Sequence, residues 1–477
     1  MENMEEHLKK YLKLEKLPLY LRIYKGILDL ADAIEGESVY RLPPIRKLAK
    51  QLGINNGTVA RAYEKLEEEG IVYTKTGSGT YLCGKKKFDD CCPYKNRFIE
   101  KNIYKADLHQ NANRLIIDLA ASTPTSELFP VDSFKKAINQ VLDRDGGKAF
   151  EYQEEKGFYP LRQSICEYIG DMDIKASPED ILITTGAQQG IDLIAKALIG
   201  SGDVVYVERP TYNGAAASFL SRGAILVDVP MDNEGMDPNI LENMVKKKHP
   251  CFVYIMPNFQ SPTGISYSMK RRKEILELAE RYDFLLIEDD YLGELSFDNN
   301  LPLKHLKSLD NGERVIYAKS FSKLFMPGIR LGFMVLPRQV QEKFERAKWF
   351  SDISTSALTQ KAFDVYLRSG EWKIHLEQLR NIYSIRHDTM VNALEAHRDI
   401  FKFTPPRGGL TIWVSIVGEK SSVEIAALAW ENGVKIIPGY RFYINGSDTK
   451  NIRLGYAAAD LDDIEKGIAQ IVYSVKQ

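Results

Sequence analysis

From Ile116 onward, short runs of β-branched and aliphatic residues alternate with amphipathic helical stretches. Strands that alternate with helices are typical of βαβ units, whose strands run parallel and are covered by helices. The alternation therefore predicts an α/β domain with a mainly parallel sheet over residues 115–477. The runs expected to form its strands are Ile181–Thr184, Val204–Val207, Ala224–Val229, Phe252–Met256, Phe284–Ile287 and Val315–Ala318.

Residues 1–82 have a different pattern, which predicts helices followed by a hairpin. Apolar residues recur at helical spacing between Tyr20 and Ile34 and indicate a first helix. A second helix is expected from Pro43 to Leu52, with Gly53 at its end. Its inward face is formed by Ile45, Leu48, Ala49 and Leu52.

A third helix is expected directly after this glycine turn, with Asn55 as its N-cap. Two short helices joined by a tight turn are typical of a helix-turn-helix, whose second helix enters the major groove of DNA. Residues 71–82 then predict two strands around Gly77-Ser78-Gly79, which would form a wing. The inward face of the third helix is formed by Val59, Ala62, Tyr63 and Leu66.

Local charge gives the N-terminal module a candidate DNA-binding face, although the whole chain has a net charge of −1. Four basic residues between positions 41 and 50 lie in a stretch without acidic residues. A small protein-interaction module with a solvated basic face is the alternative interpretation. The residues expected to contact DNA are Arg41, Arg46, Lys47, Asn55, Asn56, Thr58, Arg61 and Lys75.

Between the two modules, residues 83–114 are polar and without sustained periodicity, which predicts a linker. No apolar run approaches the ~18 residues of a membrane-spanning helix, and the charged N-terminus does not resemble a secretory signal. The five cysteines are irregularly spaced and match neither a zinc site nor a disulfide framework. We therefore expect a cytoplasmic protein without a metal site or membrane partner.

In the C-terminal module, Lys323 lies in the sequence YAKSFSKLFMPGIRLGF, residues 317–333. Ser320 and Ser322 precede this lysine, and Arg330 follows it. A lysine that forms an imine with an aldehyde cofactor must be held near the cofactor's phosphate, and hydroxyls and an arginine are suitable phosphate partners. A surface lysine near serines is the ordinary alternative.

Further residues follow predicted strands in a suitable order. The amides of Gly186, Ala187 and Gln188 can hold a phosphate at the start of a helix. Asp289, at the end of FLLIEDD, can pair with a ring nitrogen, and a solvated acidic loop is the alternative. Tyr212 can stack on a ring or belong to the core.

The N-terminal sequence LPPIRKLAKQLGINNGTVARAYEKLEEEGIVYTKTGSGTYL resembles the GntR-family winged helix, and the similarity spans residues 18–82. That family shows LPS-x-R-x-LA, SR-x-TV and a G-x-GT wing. Here Asn55-Asn56 replaces the usual Ser-Arg, and Ser78 replaces the usual arginine of the wing. The resemblance implies duplex DNA as a partner, and the missing arginines imply weaker phosphate contacts or a changed operator.

The C-terminal motifs resemble those of fold-type I pyridoxal-phosphate (PLP) enzymes, the aspartate aminotransferase superfamily, over residues 115–475. That fold has large and small subdomains, and its motifs occur here in family order: GFYPLR, TTGAQQG, ERPTY, PNFQSPTG, EDDY, SFSK and IRLGYA. The resemblance implies PLP as cofactor, with Lys323 as its Schiff-base lysine. Phosphate contacts would come from Gly186, Ala187, Gln188, Ser320 and Arg330.

The same resemblance implies roles for five more residues. Asp289 would pair with the pyridine nitrogen, Tyr291 with the phenolic oxygen, and Tyr212 would stack on the ring. Arg453 would bind the carboxylate of an amino-acid ligand, and Tyr152 would reach the phosphate of a partner subunit. Ser261 stands where these enzymes have an asparagine that contacts the phenolic oxygen, which puts efficient transamination in doubt.

The combination resembles the MocR/GabR family of regulators, whose members form head-to-tail homodimers. It implies a DNA-binding transcription regulator that senses an amino acid, an amine or PLP itself through aldimine exchange at Lys323. An active aminotransferase with a vestigial N-terminal module is one alternative. A cofactor-binding scaffold that does not contact DNA is another.

Overall fold

A computed structural model of the chain describes residues 4–12, 18–33, 40–68, 72–75, 79–82, 116–298, 304–311, 313–447 and 449–477. The chain divides into two compact units, Met1–Lys95 and Asn96–Gln477, which we call the N-terminal and C-terminal units. The expected linker, residues 83–114, lies outside the described residues. The domain boundaries therefore stay a prediction.

The N-terminal unit combines helices with a small antiparallel sheet whose strand order is β1-β3-β2. Residues 76–78, which include Ser78 at the tip of the expected wing, lie outside the described residues. The helices are α1 (Met4–Leu12), α2 (Leu19–Ala33), α3 (Ile45–Leu52) and α4 (Asn56–Glu68), and the strands are β1 (Tyr40–Arg41), β2 (Val72–Lys75) and β3 (Gly79–Leu82).

The turn between α3 and α4 forms as the sequence predicts. Gly53 has a φ of +67°, which glycine adopts without strain, and its N–H donates to the carbonyls of Ala49 and Lys50. Asn55 Oδ1 accepts a 2.7 Å hydrogen bond from the N–H of Gly57 and so caps α4. Helix α3 begins at Ile45 rather than Pro43, because Pro44 retains the extended ψ of a capping residue, 143°.

Helix α1 was not predicted from the sequence. Its Leu8 is fully buried in the core of the N-terminal unit, and it packs on α2 at Gly26. A Cβ atom at Gly26 would lie 2.7 Å from Leu8 Cδ2, so the close approach of the two helices requires a residue without a side chain.

The C-terminal unit is built on an eight-stranded sheet with the order β5-β12-β11-β10-β9-β6-β7-β8. The pairs within β11-β10-β9-β6-β7 are parallel, as the sequence predicts. Strand β12 was not predicted, and it pairs antiparallel with both β11 and β5. These strands are β5 (Ile181–Thr184), β6 (Val204–Arg209), β7 (Ile225–Asp232), β8 (Gly235–Met236), β9 (Phe252–Ile255), β10 (Leu285–Asp290), β11 (Val315–Ser320) and β12 (Gly332–Val335).

A smaller antiparallel sheet with the order β13-β14-β17-β16 lies in the same unit, and β4 pairs with β15. The larger and the smaller sheet correspond to the large and small subdomains expected for fold type I. The strands are β4 (Ile117–Asp118), β13 (Phe401–Lys402), β14 (Thr411–Ile416), β15 (Val434–Lys435), β16 (Ile437–Pro438) and β17 (Asn451–Gly455).

Helices follow most strands of the large sheet and cover it, so its central strands are buried on both faces. The helices of this unit are α5 (Val131–Asp145), α6 (Tyr159–Gly170), α7 (Ala187–Leu198), α8 (Asn213–Ser221), α9 (Pro238–Lys247), α10 (Met269–Tyr282), α11 (Leu306–Leu309), α12 (Gln341–Asp352), α13 (Ala357–Arg368), α14 (Glu371–Glu395), α15 (Ser422–Glu431) and α16 (Leu461–Lys476).

The parallel strands place polar residues together at one edge of the large sheet. Asp289 lies near the carboxyl end of β10, opposite Ala318 of β11, and Ser320 ends β11. Ligands of open α/β sheets bind outside the carboxyl ends of the strands. The candidate site therefore lies at this edge.

Candidate cofactor site and DNA-binding face

The amine of Lys323 lies in a half-buried position just after β11. Its Nζ donates a 3.2 Å hydrogen bond to Ser122 Oγ. Burial lowers the pKa of Lys323 to about 8, and the positive charges of Arg453 and Arg330 act in the same direction. A lysine with this pKa offers more neutral amine near pH 7 than an exposed lysine, and the neutral amine is the nucleophile.

At the start of α7, backbone amides, a guanidinium and two hydroxyls lie close together. Gly186 is the N-cap of this helix with a φ of +78°, and a Cβ there would lie 2.6 Å from Arg330 Nη2. Arg330 Nη1 donates to Ser322 Oγ at 3.2 Å, and Ser320 Oγ accepts from the N–H of Ser322 at 3.2 Å. Helix amides, a guanidinium and two hydroxyls are suitable partners for a phosphate.

Asp289 is buried and carries an unpaired oxygen. Its Oδ2 accepts a 2.5 Å hydrogen bond from Tyr254 OH, whereas Oδ1 has no partner among the described residues. Burial raises the pKa of Asp289 to about 6. A buried carboxylate with a free lone pair fits a protonated ring nitrogen, which would supply both the missing donor and a compensating charge.

Tyr291 and Ser261 lie together beside Asp289. Tyr291 OH donates to the carbonyl of Phe259 at 2.8 Å. Burial raises the pKa of Tyr291, and a hydrogen bond with Ser261 opposes that rise. The hydroxyls of Tyr291 and Ser261 are thus neighbours, as required of two residues expected near the same phenolic oxygen.

Tyr212 is the N-cap of α8 and lies beside the start of α7. Its hydroxyl donates to Gln188 Oε1 at 3.3 Å, and the amide of Gln188 also donates to Ser218 Oγ at 2.9 Å. The Tyr212 ring packs closely on Gly214, where a Cβ would lie 2.5 Å from ring carbon Cζ. Gly214 therefore leaves room for the ring.

Arg453, on β17 of the small sheet, is a half-buried cation. Its Nη2 donates to the carbonyl of Ala120 at 2.7 Å, and its Nε is buried without a partner in the described part of the chain. Burial lowers the pKa of Arg453, and its guanidinium lies 5.3 Å from the Phe442 ring centroid. An arginine with an unpaired N–H is suited to bind a carboxylate.

In the N-terminal unit, the expected DNA-contacting residues of α3 and of the start of α4 are exposed: Arg46, Lys47, Asn55 and Asn56, with Thr58 half-buried. Arg61 lies over the Tyr20 ring at 4.4 Å, and Arg41 lies 6.0 Å from the Tyr81 ring centroid. Only the backbone of Lys75 is described. These positions leave α3 and the start of α4 accessible to a nucleic acid.

Two families match the chain, one for each unit. Residues 19–82 match the bacterial regulatory proteins of the gntR family, and residues 114–471 match aminotransferase class I and II. The HTH-type transcriptional regulator YdfD of Bacillus subtilis, itself uncharacterized, is 32% identical, and the alignment covers 98% of each chain. The probable rhizopine catabolism regulatory protein MocR of Rhizobium meliloti is 27% identical over 95% of this chain and 92% of its own.

The chain belongs to the MocR-type transcription regulators.

Among solved structures, a kynurenine aminotransferase of Pyrococcus horikoshii crystallised with PMP is similar to the C-terminal unit. It is 34% identical, with a TM-score of 0.73, and the match covers 79% of this chain and 98% of that one. The full-length relatives are regulators, whereas this aminotransferase matches only the C-terminal part. The MocR-type chain is therefore a transcription regulator with a GntR-type helix-turn-helix and a sensor unit of the PLP-dependent fold.

Several residues that contact the candidate site of this MocR-type regulator were not predicted from the sequence. Ser122 contacts Lys323, and Tyr254 contacts Asp289, although both positions lie outside any recognised motif. Gln189 Nε2 donates to Asp352 Oδ2 at 2.7 Å, and its Oε1 accepts from the N–H of Thr185 at 2.6 Å. This pair links α12 to the turn that precedes α7.

Other expectations concern the surface of the regulator. Tyr152 is 83% exposed, and its contact with a partner subunit stays a prediction. No helix in the described ranges is long and apolar enough to cross a membrane. Within the same ranges, no group of three or more His, Cys, Asp or Glu side chains could hold a metal ion.

Proposed function

We propose that this regulator holds PLP on Lys323 and changes its affinity for duplex DNA when an amino acid, an amine or PLP itself occupies the site. The observation that carries the proposal is the unpaired, buried Oδ1 of Asp289. A buried carboxylate without a second donor is unfavourable unless a ligand completes it. A protonated pyridine nitrogen is such a ligand.

The other residues would hold the remaining parts of the cofactor. Gly186, Ala187, Gln188, Ser320 and Arg330 would bind the phosphate, Tyr291 and Ser261 would face the phenolic oxygen, and Tyr212 would stack on the ring. When bound, PLP supplies an aldehyde that condenses reversibly with primary amines. Lys323, with its lowered pKa, would supply the neutral amine.

Arg453 would select ligands that carry a carboxylate. It holds the carbonyl of Ala120 with one N–H and retains an unpaired Nε. A bidentate carboxylate would pair with this guanidinium and relieve the cost of its burial. An α-amino acid would therefore engage the sensor at two points, with its amine at the Lys323 site and its carboxylate at Arg453.

DNA would be bound by β1, α3, α4 and the wing, through Arg41, Arg46, Lys47, Asn55, Asn56, Thr58, Arg61 and Lys75. A ligand shifts DNA affinity only if it favours one conformation of the protein over another. The regulator would form a head-to-tail homodimer in which Tyr152, which is exposed in the single chain, reaches the cofactor phosphate of the partner subunit.

The test is a DNA-binding titration of PLP-loaded protein by fluorescence anisotropy, with a duplex from the region upstream of its gene. L-Alanine, L-glutamate, L-lysine, β-alanine and excess PLP are the probes. We expect at least one of them to change the DNA affinity of the wild type and none to change that of Lys323→Ala. Equal responses of the two proteins, or no response of the wild type, would overturn the proposal.

An active aminotransferase is a second candidate function, favoured by the presence of Lys323, Asp289 and Arg453 and by the similarity to an aminotransferase crystallised with PMP. Ser261 argues against efficient turnover, because it is shorter than the asparagine of these enzymes. Incubation with L-glutamate and a 2-oxo acid, followed by product chromatography, separates the two functions. Many turnovers per site within minutes would favour the enzyme.

A further inference from the structure

Ser122 makes a contact that the proposed function does not use. Its Oγ accepts the 3.2 Å hydrogen bond from Lys323 Nζ. The two residues are far apart in sequence, and Ser122 belongs to the loop that follows β4. The contact engages an N–H of the lysine amine. In an imine with the cofactor that nitrogen keeps at most one N–H, whereas the released amine has at least two, so the contact favours the released lysine.

The position of Ser122 is fixed by its neighbours in the chain. Asp118 Oδ1 accepts hydrogen bonds from the N–H groups of Ala120 at 2.9 Å and Ala121 at 3.0 Å. Gly455 N–H donates to the carbonyl of Leu119 at 2.7 Å. The loop is thus attached to β17, and Ser122 is half-buried.

The same loop also contacts the expected carboxylate-binding residue. Arg453 Nη2 donates to the carbonyl of Ala120, two residues before Ser122. One short stretch of backbone therefore lies against both points at which an amino acid would engage the sensor, and Ser122 is its hydroxyl-bearing member beside Lys323.

Resting on the proposed function, we propose that Ser122 holds the amine of Lys323 once a ligand has displaced it, and so sets the affinity of the sensor for its effector. In the exchange, the C=N bond to Lys323 breaks as a C=N bond to the ligand nitrogen forms. The two protons of the ligand's neutral amine end on Nζ, and nothing is oxidised or reduced. Ser122 is a positioning residue that stabilises the released lysine.

This role predicts opposite changes in two affinities. Ser122→Ala removes a hydrogen bond that favours the released lysine amine over the imine-bonded one. PLP, which engages that amine, should bind about three- to tenfold more tightly, and the effector, which releases it, should bind about three- to tenfold more weakly. A residue with a merely structural role would weaken both.

The experiment measures both affinities on the full chain. PLP binding to PLP-free protein is followed by the rise of its visible absorption. Effector binding to PLP-loaded protein is followed by the change in that absorption, with whichever of L-alanine, L-glutamate, L-lysine or β-alanine shifts the wild-type band. Ser126→Ala is the matched control, because Ser126 is exposed in the same region and its hydroxyl donates to Glu127.

Opposite changes in Ser122→Ala, with both affinities unchanged in Ser126→Ala, support the proposal. Changes in the same direction, or no change in either affinity, overturn it. If the wild type develops no visible band with PLP, or no probe shifts that band, the proposed function fails instead, and the two failures are thereby distinguished.

Discussion

Replacement of Asp289 with asparagine tests the charge on which cofactor binding depends. Burial raises the pKa of this carboxyl from its ordinary value of 3.8 to about 6. At about 1.36 kcal/mol for each pH unit, ionised Asp289 costs the ligand-free protein about 3 kcal/mol at neutral pH. A protonated pyridine nitrogen paired with Oδ1 would recover at least this amount, which corresponds to a factor of about 100 in affinity.

We therefore expect Asp289→Asn to bind PLP about 100-fold more weakly than the wild type at neutral pH. The assay is equilibrium titration with PLP, followed by the quenching of protein fluorescence. Asp192→Asn is the control, because it removes the same charge from a half-exposed position on α7, 3.6 Å from Arg222. A change of less than about threefold in Asp289→Asn would refute the reasoning.

The same carboxyl predicts a pH dependence for the ligand-free protein. The pKa of Asp289 is raised in the folded state, so the stabilisation of the folded protein by the protonated carboxyl is fully present below the ordinary pKa of 3.8. It is lost as the pH rises through the folded-state pKa of about 6. Chemical unfolding between pH 4 and 7 should show this loss in the wild type and a smaller one in Asp289→Asn, with Asp192→Asn as the reference.

Three further substitutions test other parts of the account. Gly186→Ala places a Cβ 2.6 Å from Arg330 Nη2 at a φ of +78°, so PLP affinity measured by absorbance should fall about tenfold. Gly147→Ala is the control and should leave PLP affinity unchanged, because a Cβ at Gly147 would have no atom within 4 Å. Arg46→Ala should weaken DNA binding in an anisotropy titration without altering PLP content, and equal DNA affinity would contradict the assignment of α3. Leu66 is fully buried in α4, so Leu66→Ala should destabilise the N-terminal unit by about 2–5 kcal/mol in denaturant unfolding and reduce DNA binding. The visible absorption of bound PLP should not change. A smaller loss of stability would show that this core is not packed as described.

Local sequence patterns predicted the helix-turn-helix and most strands of the large sheet, because each is encoded by periodicity or capping over a few residues. Gly53 and Asn55, for example, act where a turn and an N-cap were expected. Strand β12 was missed because no α-helix separates it from β11, so Gly332–Val335 does not fit the alternation of strands and helices that revealed the other strands. Helix α1 was missed because its burial depends on contact with Gly26, which no local pattern reveals.

The residues of the candidate site also fall into two groups, those that sequence motifs predict and those that only the folded structure brings to the site. Motifs indicated Lys323, Asp289 and Arg453 because their chemistry and order are distinctive. Ser122 and Tyr254 reach the site through the packing of segments distant in sequence, and serine and tyrosine are common residue types. Their roles could be inferred only from the distances between side chains in the folded chain.

The most direct test of the central claim is the location of the cofactor. The purified protein is incubated with PLP, treated with borohydride to make the linkage permanent, digested and analysed by mass spectrometry. We predict one phosphopyridoxyl group, on the peptide that contains Lys323, and no stoichiometric labelling of Lys323→Ala. Labelling of another lysine in the wild type, or no labelling at all, would contradict the account.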